Sequence, residues 1–276
     1  NRVGIAGMMA TMIEAEKFGL SVDVVDDLTG KKLGRASSGT FRTADVVGLD
    51  TMGHVIRTMT DKLPDDPFAA LYQQPAALQK LIAAGRLGQK TGAGFYKKAG
   101  KDILRYDAAK DDYVASGAKA DELIARILKE KDPAKRMQAL HDSTHPQAQF
   151  LWAIFRDAFH YIAVHLESIA DNARELDFAL RWGFGWKQGP FELWQSAGWQ
   201  QVAQWVKEDI EAGKALSSAP LPAWVFDGRD GVHTTQGSWS PAKQAYVPRS
   251  SLPVYQRQAF RAPLVGDTAP TGAKAG

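Results

Sequence analysis

Pro75-Ala76-Ala77-Leu78-Gln79-Lys80-Leu81-Ile82-Ala83-Ala84-Gly85-Arg86-Leu87-Gly88-Gln89-Lys90-Thr91-Gly92-Ala93-Gly94-Phe95-Tyr96-Lys97-Lys98 changes its pattern midway. Proline at the first turn and glycine just past the last bracket a helix over the first ten residues or so. Beyond Gly94, Phe95-Tyr96-Lys97-Lys98 and Ile103-Leu104-Arg105-Tyr106 flank Ala99-Gly100-Lys101-Asp102, the pattern of a short β-hairpin. The glycines in between resemble a phosphate-cradling loop. That loop needs glycine directly before its lysine so that backbone amides can wrap a phosphate, and Gln89 stands there instead. The stretch therefore reads as a structural turn joining helix to hairpin, with Arg86 and Lys90 free to meet an anion only from outside.

The same punctuation extends outward. Residues 2–18 suit a helix, Ser21 caps a second running to Gly30 with Asp23 in its first turn, and Asp50 caps another through Lys62. Later helices are expected at 119–130, 133–141 behind Asp132-Pro133, 146–170, 174–182 and 199–212. An internal repeat organises them: Asp27, Gly39, Phe41 and Gly48 recur as Asp177, Gly189, Phe191 and Gly198, each 150 residues on. A second echo sets Tyr106, Ala109, Lys110, Tyr113 and Val114 against Trp239, Ala242, Lys243, Tyr246 and Val247. The expected fold is mainly α, two helical units in tandem, each with a small β-hairpin. Residues 1–118 form the first unit and 119–249 the second, followed by a Pro/Ala/Gly-rich linker over 250–276. Two related units facing one another would form a single-chain analogue of a two-fold dimer.

The 276 residues carry a formal charge of +3, with 45% hydrophobic and 24% charged residues, proportions of a soluble globular protein. There is no cysteine, which excludes disulfides, cysteine-ligated metals and thiol catalysis and fits a reducing, cytoplasmic setting. The longest apolar helix, 146–170, contains Arg156, Asp157, His160, His165 and Glu167, so no membrane span is expected. Its positive excess is dispersed, giving no nucleic-acid surface. All eight tryptophans follow residue 150 and are expected to pack the second unit's core. The start at Asn1-Arg2-Val3 and the tail ending Thr268 to Gly276 suggest a piece lying between other domains.

Four other motifs invite chemistry and are read structurally. Val3-Gly4-Ile5-Ala6-Gly7-Met8-Met9-Ala10, with Asp26 or Asp27 as ribose partner, lacks the third glycine of a dinucleotide turn and a strand before it. His141 and His145 have metal-pair spacing, but Pro146 follows and no Glu lies between, so a solvated loop and no metal site are expected. His160 and His165, five apart, should diverge on their helix, with His160 packed. Ala36-Ser37-Ser38-Gly39-Thr40 is no nucleophile elbow; its hydroxyls are expected to cap the helix starting at Phe41.

Asn1-Arg2, Arg42-Thr43-Ala44-Asp45-Val46-Val47-Gly48-Leu49-Asp50-Thr51 and the run Gly85 to Tyr96 together resemble the C-terminal helical domain of 3-hydroxyacyl-CoA dehydrogenases. The resemblance covers residues 1–98, and a degenerate second copy, best seen in Gly189-Pro190-Phe191-Glu192-Leu193, covers about 150–210. It implies two helical units of the 6-phosphogluconate-dehydrogenase C-terminal type, as in multidomain β-oxidation enzymes. There NAD oxidises a 3-hydroxyacyl-CoA to the 3-oxoacyl-CoA, with a histidine–glutamate pair of the nucleotide-binding domain as general base. Neither that pair nor a cofactor-binding residue has a match in this chain. The resemblance implies an NAD-binding domain and an enoyl-CoA hydratase-like domain as neighbours. It gives Asn1 a supporting catalytic role and Ser38, Gly39, Thr40 and Phe41 a place beside the acyl-CoA substrate. In the family the loop before Phe41 usually reads Pro-Met-Gly-Pro. Two other readings are a noncatalytic helical assembly module and a stand-alone nicotinamide-binding domain built on Val3 to Asp27.

Overall fold

Proline, glycine and short polar residues set the helix ends much as the sequence suggests. The computed structural model describes residues 1–257 and 262–267. The first half runs α1 (Arg2–Lys17), α2 (Val22–Thr29), α3 (Phe41–Val47), α4 (Leu49–Lys62) and α5 (Ala76–Ala83). It closes in an antiparallel sheet of β1 (Tyr96–Ala99), β2 (Asp102–Asp107) and β3 (Asp112–Ala115). The second half begins with α6 (Glu122–Ile127) and α7 (Pro133–Asp142), then α8 (Pro146–Ile169), α9 (Ala173–Phe184), α10 (Pro190–Ser196) and α11 (Trp199–Glu211). A second antiparallel sheet of β4 (His233–Thr234), β5 (Gly237–Ser240) and β6 (Ala245–Val247) precedes the single turn α12 (Pro253–Gln256).

Several local expectations need correction. Each expected hairpin is a three-stranded meander, because a further tight turn returns the chain. Those turns place Asp111 (φ 53°) and Gln244 (φ 49°) in the left-handed region. The second echo falls here, pairing Tyr106 with Tyr113 and Trp239 with Tyr246 across neighbouring strands. Ser21 precedes α2 but turns its hydroxyl to Asp23 instead of a helix amide. Asp50 sits in the first turn of α4, where its carboxylate pairs with Lys90, and Gly48 takes the cap position. His141 and His145 belong to helix ends. His141 lies in the last turn of α7 and stacks on Trp205, and His145 accepts from the Gln147 amide to cap α8.

The two halves share one core: α1 packs along α8, and a single apolar cluster runs from Ala6 to Trp239. Trp194 and Trp199, both fully buried, stack at 4.1 Å and donate to the Trp199 and Val225 carbonyls. Trp152, Trp205 and Trp239 are also buried, so most of these rings pack the core as expected; Trp182, 70% exposed on Phe178, is the exception. At the seam, Arg156 of α8 is buried among three carboxylates: Asp157, Glu14 of α1 and Asp209 of α11. Lys17 and Lys214 reach the outer edges of Glu14 and Asp209, and the Trp152 indole donates to Asp209. Burial, with Glu14 beside it, holds the Asp157 carboxyl well above the usual carboxylate range.

Within the expected linker, residues 250–255 are exposed, whereas 262–267 pack onto the second half. Leu264 is buried, Arg181 donates to the Pro263 carbonyl, Val265 donates to Glu192, and Arg249 pairs with Asp267. The remainder of that segment, 258–261 and 268–276, lies outside the described residues.

Trp199→Ala should cost about 3–5 kcal/mol in denaturant unfolding and Trp182→Ala under about 0.5 kcal/mol. Similar losses would contradict the packing difference. Because folding raises the Asp157 pKa, the native state binds the proton more tightly, and this contribution to stability falls as pH rises above the ordinary carboxylate range. Thermal melts of Asp157→Asn should therefore decline less from acidic to alkaline pH than those of the parent chain.

Candidate functional site

Asn1 caps α1 through its carbonyl, which accepts the Ile5 amide at 2.9 Å; its side chain makes no capping bond and is exposed. The next residue is tightly fixed. Arg2 pairs with Asp66, donates to the Tyr161 hydroxyl at 3.0 Å and lies 3.3 Å from His165 Nδ1. Asp66 also meets His165 Nε2 at 3.1 Å, and Tyr161 meets the Tyr72 hydroxyl. Burial lowers the His165 pKa. Two residues of α8 and a loop carboxylate thus hold the start of α1, leaving the Asn1 amide free beside a fixed backbone.

Loop 30–40 is shaped by another buried carboxylate. Asp26 Oδ1 accepts the Thr40 and Phe41 amides at 2.7 and 2.6 Å, and Oδ2 accepts the Arg42 amide and the Tyr96 hydroxyl. Three otherwise orphan donors at the start of α3 are satisfied in this way. Burial pushes Asp26 up to about 6 although every one of these donors favours the carboxylate. The expected Ser/Thr cap is therefore replaced by an acid 14 residues upstream: Thr40 bonds Thr29, and Ser38 bonds Thr43. Gly39 (φ 64°) lies against the Asp26 backbone, where a Cβ would collide. On α3, Asp45 accepts the Phe95 and Tyr96 amides at 2.8 and 2.9 Å, tying the sheet to the helices.

Gly39 and Thr40 face Gly4 and Gly7 of α1 across a cavity of about 90 Å³ that Ile154, Phe184 and Trp186 close from the second half. Gly4 is three residues, roughly 4.5 Å of helix rise, from Asn1. Asn1 itself does not line the cavity. Phe41 turns the other way, into the core edge-on to Phe95.

A matching arrangement occurs in the second half. Asp177 accepts the Phe191 and Glu192 amides at the start of α10 and contacts His233 Nε2 at 2.8 Å. Gln195 Oε1 accepts the Val232 and His233 amides. Asp177, Gln195 and His233 thus do what Asp26, Asp45 and Tyr96 do. The partner of Asp177 is Asp26, one residue before the Asp27 expected from the 150-residue spacing; Asp27 pairs with Lys32 and the Ala120 amide instead. Gly34 and Gly185 share left-handed geometry, and Lys187 donates to the Gly34 carbonyl where the two loops meet.

The remaining motifs serve structure. Val3 to Ala10 is helical throughout, and the carboxylates of Asp26 and Asp27 are engaged with backbone amides, so these residues do not fit a nicotinamide dinucleotide. His160 is buried with Nε2 2.7 Å from the Ala219 carbonyl, and burial pushes its pKa down to about 4. It shares the Phe68 ring with His165, so the two imidazoles flank one side chain rather than diverging. No cluster of three metal-ligating side chains occurs among the described residues, and none of their helices is long and apolar enough to cross a membrane. The Asp66, Tyr161 and His165 grouping carried no sequence signal, since its members lie up to 99 residues apart.

Residues 1–98 match the family described as 3-hydroxyacyl-CoA dehydrogenase, C-terminal domain. A Bacillus subtilis protein named "Probable 3-hydroxyacyl-CoA dehydrogenase" is 36% identical over 230 residues, 83% of this chain and 28% of that protein. Human mitochondrial hydroxyacyl-coenzyme A dehydrogenase is 34% identical over 98 residues, 35% of this chain and 30% of that protein. The chain thus spans less than a third of either relative's length. A crystal structure of 3-hydroxybutyryl-CoA dehydrogenase from Escherichia coli K12 shares the fold, with a TM-score of 0.54 and 15% identity over 82% of this chain and 58% of that one.

Asp26→Ala orphans three helix-start amides and should cost about 2–4 kcal/mol, against about 1 kcal/mol for Asp27→Ala. Equal losses in chemical denaturation would restore Asp27 to the structural role.

Proposed function

We propose that this chain, whose residues 1–98 are a 3-hydroxyacyl-CoA dehydrogenase C-terminal domain, is the substrate-side and repeat-pairing part of an NAD-dependent enzyme that oxidises 3-hydroxyacyl-CoA in fatty-acid β-oxidation. The observation that carries the reading is the fixed start of α1. Arg2 is held from three sides, which fixes the backbone that carries Asn1, and Gly4, three residues on, walls a cavity with Gly39 and Thr40. An amide so placed can donate to an oxygen of substrate while accepting from a neighbouring imidazolium or hydroxyl. By the resemblance Ser38, Gly39, Thr40 and Phe41 would lie beside the substrate; of these Gly39 and Thr40 line the cavity.

NAD would accept the hydride on a separate nucleotide-binding domain, which would also supply the general base; an enoyl-CoA hydratase-like domain is the further neighbour proposed. The boundaries proposed are 1–118 and 119–249. The matched sets Asp26, Asp45, Tyr96 and Asp177, Gln195, His233 support two copies of one unit. In that arrangement the second copy packs on α1 as a dimer partner would and has exchanged site chemistry for tryptophan packing. A noncatalytic assembly module is the competing reading, favoured by the continuous core across the two halves.

The purified chain alone should yield no NADH from 3-hydroxyacyl-CoA. In the whole protein Asn1→Ala should lower kcat by about 100-fold with little change in KM, the size seen for loss of one preorganised donor. Full activity of that variant would favour the assembly module.

A further inference from the structure

Beside the interlocked loops lies a second cavity, of about 380 Å³, whose wall carries Lys31, Lys32, Arg35, Arg136 and Lys187 and no acidic residue. Lys32 is neutralised by Asp27 at 2.7 Å. The other four have no ion-pair partner among the described residues. Arg136 reaches only the Glu130 carbonyl, and Arg35 lies flat on Trp186, 4.1 Å from the ring centroid. Burial without a compensating anion pulls the Arg35 guanidinium down to about 10. Four like charges gathered around one recess, with Arg35 and Arg136 half-buried in its wall and Lys31 and Lys187 at its exposed rim, are mutually unfavourable until an anion sits between them. The floor is apolar, built from Leu128, Phe155, Phe159, Pro190 and Leu193.

We propose that this recess binds a small phosphorylated ligand carrying at least two negative charges, with its phosphates between Lys31, Arg35 and Lys187. A carboxylate would neutralise only one of the four cations, whereas a diphosphate matches the charge in a compact volume and suits the guanidinium fork. The recess has the size of a small-molecule site, too small to seat a folded protein. Both halves build it: Lys31, Lys32 and Arg35 come from the loop after α2, Lys187 from the loop before α10 and Pro190 from the start of α10, and the hydrogen bond from the Lys187 N–H to the Gly34 carbonyl locks the two loops together. The proposal does not rest on hydroxyacyl-CoA chemistry and can be tested on this chain alone.

Calorimetric titration at low ionic strength with inorganic pyrophosphate, and in parallel with ADP, supplies the probes. Saturable binding is expected, weakened about tenfold or more in the Lys31→Gln/Lys187→Gln double variant and by added salt. Both positions are exposed, so the variant should keep the parent's melting temperature in the absence of ligand. Tighter binding of ADP than pyrophosphate would point to a nucleotide seated on the apolar floor; equal binding would point to the diphosphate group alone. Absence of heat with both probes, or binding that the double variant leaves unchanged, would overturn the proposal.

Discussion

The seam between α1 and α8 governs the rest of the molecule. Arg156 stands there among Glu14, Asp157 and Asp209, drawn from three helices and shielded from water. Charges in such a setting hold their geometry strongly, because losing one partner leaves another buried and uncompensated. The direction of α1 is therefore fixed at its C-terminal end by Glu14 and at its N-terminal end by Arg2, both through residues of α8. Everything proposed for Asn1 depends on a helix clamped at both ends.

Buried carboxylates perform a second, repeated task. In each half an aspartate accepts amides at a helix start while a polar side chain of that helix accepts amides entering the sheet. Each helix–loop–sheet junction thereby becomes one rigid piece. The loops that these junctions leave free, around Gly34 and Trp186, meet at the centre, and both cavities open beside them.

The helical architecture was legible because proline, glycine and apolar spacing act over a few residues. The spacing argument erred by one position at Asp27. Adjacent acids look alike in sequence, and only the path of the loop decides which one reaches the amides of Thr40 and Phe41. The third strand of each sheet was missed because a left-handed Asp111 or Gln244 carries no strong turn signature. The fate of residues 262–267 was equally hidden: their composition suits a linker, yet Leu264 finds a buried place.

By itself the sequence determined the mainly helical architecture, the absence of thiol chemistry and the family motifs, all of which follow from local steric preference and residue chemistry. Tertiary structure alone decided which charged groups are paired. Arg2, Arg156 and Arg35 are equivalent on paper. The fold pairs the first with Asp66, surrounds the second with three carboxylates and leaves the third on an indole ring, because electrostatic partners are chosen by distance in space and not along the chain.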